Sequence, residues 1–85
     1  MLQFDFQRHF PREVMYYRKR GFCYQKMQNL EPAIADFKKL VQMKPSIVIY
    51  HTDLIDALTE AGRYKEARKG GFLLIQHYYF VSRYK

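Results

Sequence analysis

Apolar positions recur along most of this chain at steps of three and four, the spacing that places side chains on one face of an α-helix. Val14, Tyr17, Gly21 and Tyr24 form one such stripe, and Ala33, Phe37, Leu40 and Val41 a second. Leu54, Ile55 and Leu58 form a third, and Ala67, Leu74 and Ile75 a fourth. Four helices are predicted: Pro11 to about Met27, Glu31-Pro32 to about Lys44, Ser46 to Ala61, and Arg63-Tyr64 onward. Pro11 and Pro32 suit first turns, where a missing N–H costs nothing. Pro45 disfavours helical backbone at the residue before it and ends the second helix. Gln28-Asn29 makes the first turn, and Gly62 is a good cap after the third helix. Residues 1–10 follow another rule: Leu2, Phe4 and Phe6 alternate with Gln3, Asp5 and Gln7, a period of two that predicts an extended arm.

Two glycine sites interrupt the helical pattern. Gly21 lies inside the first helix and costs stability relative to alanine, so its expected benefit is close approach of the neighbouring helix. Gly70-Gly71 costs about 2 kcal/mol in propensity. Leu74 and Ile75 nevertheless keep the register of Leu40 and Val41, so the fourth helix is predicted to continue through the pair.

The stripes also repeat each other. Tyr17, Tyr24, Leu30, Ala33, Leu40 and Val41 recur 34 residues later as His51, Leu58, Tyr64, Ala67, Leu74 and Ile75. A period of this length is one supersecondary unit used twice. The first copy, with Tyr17, Gly21, Tyr24, Ala33, Phe37 and Pro45, resembles the tetratricopeptide repeat, and the resemblance covers about residues 14–79. It departs at Arg20 (usually leucine), Gln28 (usually glycine), Ile55 (usually small) and Tyr79 (usually proline). Phe37 of the first copy becomes Gly71 in the second, so either Phe72 swings in or another side chain fills the gap.

The resemblance implies an all-α fold. Two tetratricopeptide-like helix–turn–helix hairpins, a fragment of an α-solenoid, would carry a long C-terminal helix and an extended N-terminal arm. The corresponding division is 1–10 for the arm, 11–45 for the first repeat and 46–85 for the second. The resemblance also implies a concave face that binds other proteins: Met15, Arg18, Phe22 and Gln25 from the first copy, and Ile49, Thr52, Asp56 and Thr59 from the second. A helix or extended peptide could lie there. Arg18 matches a basic position used in the family to clamp a peptide carboxylate. Phe22 and Asp53 replace the asparagines of that clamp, and Asp53 would repel a carboxylate, which argues against this use.

Composition narrows the class. The chain has 85 residues, room for one small domain, and 18% are aromatic, which excludes a disordered composition. Two repeats are fewer than the ~3 that usually stand alone, so another chain is expected to cover the ends. The tail from Phe72 to Lys85 is apolar nearly all round, with Phe72, Tyr78, Phe80 and Tyr84 among its large side chains. A helix of that kind must be covered, and a partner surface is favoured over internal packing or a membrane-surface contact.

A net charge of +7, from 15 basic and 8 acidic side chains, favours acidic protein, RNA or an anionic membrane surface as partner. Tyr16-Tyr17-Arg18-Lys19-Arg20 interleaves aromatics with cations, as an RNA-binding surface does. No segment reads as a signal peptide or membrane helix. Cys23 is alone, so the chain forms no internal disulfide, and a reducing compartment (cytoplasm or organellar matrix) is expected.

Enzymatic chemistry is not indicated, and no catalytic residue, metal, cofactor or small-molecule substrate is expected. His9, His51, His77 and Cys23 do not fall at ligand spacing. Cys23 reads as a small packing residue, His51 as a core or half-buried one, and Asp53, Asp56 and Glu60 as a solvated stripe. Two functions remain. One is a non-catalytic interaction module or small structural subunit of a larger complex, binding partner proteins or itself. The other is a small basic ribonucleoprotein subunit contacting RNA, or a peripheral subunit of a membrane complex.

Overall fold

The computed structural model describes residues 12–72. The expected arm at 1–10 and the tail beyond Phe72, with Tyr78, Phe80 and Tyr84, lie outside the described residues. Within them the chain is all-α, with no strand. Helix α1 spans Arg12–Lys26, α2 Leu30–Met43 and α3 Val48–Glu60. Residues 64–72 form a further helical segment, α4, which continues through Gly70-Gly71. Helix α2 packs against both α1 and α3. Its central place explains why Ala33, Ile34, Asp36, Phe37 and Leu40 are all buried on one short helix.

The core joins these α2 residues to Val14 of α1, Tyr50, Ala57 and Leu58 of α3, and Ala67 of α4. Tyr17, Tyr24, Val41, Leu54 and Ile55 close its edges. The sequence stripes therefore identify the buried faces. Helix α3 starts two residues later than its sequence suggests, because Ile47 is extended and acts as the N-cap. Its N–H bonds back to Lys44 O at 3.2 Å, so Pro45 and Ser46 complete a turn instead of a helix.

Gly21 does what a helix glycine must do to be worth its propensity cost. A Cβ placed there would lie 2.7 Å from Phe37 Cε1, inside van der Waals contact, and Phe37 is fully buried. In the second copy the close contact falls at a different position. Ile55 stands 34 residues after Gly21, and its Cγ1 lies 3.4 Å from the position of a Cβ on Gly70. Phe72 is 60% exposed and does not swing into the place vacated by Phe37. Gly70 is the counterpart of Asp36, whereas Gly71, the counterpart of Phe37, would have its Cβ in open space among the described residues, so the second pair does not reproduce the Gly21–Phe37 contact.

The α1–α2 and α3–α4 turns share one backbone design. Gln28 has φ 60° and Gly62 φ 76°, both left-handed. Asn29 N–H donates to Tyr24 O at 2.9 Å, and Arg63 N–H donates to Leu58 O at 2.9 Å. Gln28 N–H reaches Gln25 O and Gly62 N–H reaches Thr59 O, each at 3.0 Å. Every one of these atoms is displaced by 34 residues from its counterpart. This pattern ends a helix by bonding its last carbonyls to the residues just beyond it.

Candidate functional site

Helices α1 and α3 are linked by polar side chains. Arg18 Nε donates to Asp53 Oδ2 at 2.9 Å, and Gln25 Nε2 donates to Glu60 Oε1 at 2.8 Å. Arg18 and Gln25 are two turns apart on α1, as are Asp53 and Glu60 on α3, so the two helices run in the same direction. Phe22 lies between Arg18 and Gln25 on α1 and packs edge-on against Phe37, 5.3 Å between centroids. The Arg18 guanidinium stands 5.1 Å from the Phe22 ring centre and 5.7 Å from that of Tyr50, a stacked arrangement that favours the cation. Beside this seam Phe22, Gln25, Lys26, Gln28 and Glu60 line an open cleft of about 600 Å³.

The residues expected on the concave face divide into two groups. Arg18, Phe22 and Gln25 are brought together at the seam, where Arg18 and Gln25 are engaged with α3. Met15 is half-buried, Ile49 is 50% exposed, and Asp56 is exposed. Thr52 and Thr59 turn their hydroxyls back to Ile49 O and Ile55 O, both at 2.8 Å. Of the expected C-terminal surface, only Phe72 falls among the described residues, and it is exposed.

Two sequence expectations are corrected. Asp53 is buried, not part of a solvated stripe; Arg18 supplies the charge that makes its burial tolerable. Cys23 is exposed rather than packed, because the α1 face it occupies points away from α2. His51 is half-buried as expected, and Nε2 donates to Pro45 O at 2.7 Å, which assigns that nitrogen the proton.

Sequence reasoning missed a second charged assembly. Arg20 grips buried Asp36 with two bonds, Nε to Oδ2 at 2.9 Å and Nη2 to Oδ1 at 2.7 Å. Its Nη1 donates to the Tyr16 hydroxyl at 3.0 Å, and the guanidinium stands 5.0, 5.5 and 5.8 Å from the ring centres of Tyr16, Tyr17 and Tyr24. The hydrogen bond to Asp36 raises the Arg20 pKa above the ordinary arginine value, and that to Tyr16 adds to the rise. Arg20, at a position where leucine was expected, is thus paired with a buried aspartate on the facing helix. The clue was in the second copy, where Leu54 and Gly70 replace Arg20 and Asp36 together. On the far side Arg63 binds both carboxylate oxygens of Glu31, at 2.9 and 3.0 Å, and its pKa is raised chiefly by that bond.

No group of three metal-ligating side chains is assembled among the described residues. No helix among them is long and apolar enough to cross a membrane. No family model matches the chain, and neither a curated protein nor a solved structure matches it.

Proposed function

We propose that this chain is a non-catalytic, tetratricopeptide-type interaction module, a small structural subunit that binds partner protein through its repeat face and its apolar C-terminal segment. The observation that carries this reading is the pair of equivalent turns. Gln28 and Gly62 adopt one left-handed conformation with one set of hydrogen bonds, as expected of a helical unit used twice. Exposed apolar side chains support it: Phe22 and Ile49 on the repeat face and Phe72 at 60% exposure on α4. The RNA alternative draws less support from the Tyr16–Arg20 cluster, because Arg18 and Arg20 are committed to Asp53 and Asp36.

The test is light scattering and circular dichroism on the purified chain, with Ile49→Asp and Phe72→Asp together as the variant. Assembly that is lost while helicity is kept supports an interaction surface. Helicity lost with it would make these side chains core and remove the reading. Binding to single-stranded RNA that falls steeply with added salt would favour the ribonucleoprotein alternative.

A further inference from the structure

One stripe of α3 is covered by described residues, and the stripe at the same repeat positions of α1 is covered by none of them. On α3, Tyr50, Asp53 and Ala57 are buried and Glu60 is held by Gln25. Their counterparts 34 residues earlier are Tyr16, Lys19, Cys23 and Lys26, and all four are exposed. The sign of the charge is also reversed: Asp53 and Glu60 on α3 correspond to Lys19 and Lys26 on α1. The molecule thus displays how such a stripe is covered. A parallel helix lies beside it, offering Arg18 to Asp53 and Gln25 to Glu60, with the apolar Phe22 between them in sequence at steps of four and three.

We propose that the α1 edge formed by Lys19, Cys23 and Lys26 docks a helix of another protein that carries two carboxylates seven residues apart with an apolar residue between them, Glu-x-x-x-Leu-x-x-Glu in form. The register follows from the α1–α3 seam, and the sign follows from the two lysines. A second copy of this chain is the weaker occupant. The edge of α3 that would meet Lys19 and Lys26 carries one acid, Asp56, between two threonines, and two chains of net charge +7 repel each other. This inference rests on the repeat geometry and concerns an edge that adjoins the repeat face at Lys26 but is read through Cys23, so it can fail while the repeat face and the apolar tail still bind.

Cys23 is the only cysteine and lies between the two lysines, so its alkylation rate reports on this edge without any substitution. The probes are two helical peptides of equal composition, one with the glutamates seven residues apart and one with them five apart. At ten times its Kd the first peptide is expected to slow alkylation of the full chain roughly tenfold, and the second is not. In Lys19→Glu with Lys26→Glu the protection is expected to vanish, and a peptide with lysines at the same two positions is expected to restore it. Three results would overturn the proposal. One is no protection, and another is equal protection by both peptides. The third is a Cys23 already shielded without peptide, whether by the rest of the chain or, if shielding is lost on dilution, by a second copy.

Discussion

Three mid-helix glycines look alike in the sequence and differ in what surrounds them. At Gly21 an added methyl would sit 2.7 Å from the buried Phe37 ring, which has no room to retreat. Overpacking of that kind costs about 1–3 kcal/mol and outweighs the ~1 kcal/mol that alanine gains in helix propensity. Gly21→Ala is therefore expected to lower the denaturant midpoint. At Gly71 a Cβ meets nothing within 4 Å among the described residues, so Gly71→Ala is expected to stabilise by up to ~1 kcal/mol in the same assay. Opposite signs from one chemical change would establish the packing difference; a shared sign would refute it.

The turns between helices are the level at which the repeat is most nearly exact in structure and least visible in sequence. Gln28 holds φ 60° at the position where the second turn has glycine at 76°. A side chain with a Cβ is strained there, so Gln28→Gly is expected to stabilise by about 0.5–1 kcal/mol, and Gly62→Ala to destabilise by a similar amount. Thermal unfolding of the two variants checks both. Helix pairing has its own device in the grip of Arg20 on Asp36. Asp36→Asn removes the charge from a carboxyl that is 4% exposed, whereas Asp56→Asn alters an exposed one. The first is expected to destabilise clearly and the second to change little, measured by chemical denaturation.

At the scale of the whole molecule, α1 and α3 are joined by polar contacts, so their relative position depends on charge as well as burial. Arg18→Ala would leave Asp53 buried without its partner. With the Arg18 side chain 34% exposed, the loss is expected to be about 1–2 kcal/mol, below that of a fully buried pair. Backbone hydrogen exchange should show it as faster exchange in α3 and α4, with α1 and α2 less affected. Uniform acceleration throughout would mean that the molecule opens as one unit.

The period of apolar residues by itself determined the number and approximate limits of the helices among residues 12–72, and which faces are buried. Those follow from local geometry: steps of three and four, proline at a helix start or just past its end, and glycine at a cap. The propensity cost of a glycine inside a helix further marked Gly21 as a point of close approach. Only the tertiary structure decided what depends on residues far apart in sequence. It put Ile55 against Gly70, one residue before the position that corresponds to Phe37. It buried Asp53 beneath Arg18 and Asp36 beneath Arg20, and it left Cys23 on an open edge. An aspartate at helical spacing reads as solvated because isolated carboxylates avoid the interior. Whether one is buried is set by a cation on another helix, and no periodicity along a single helix carries that information.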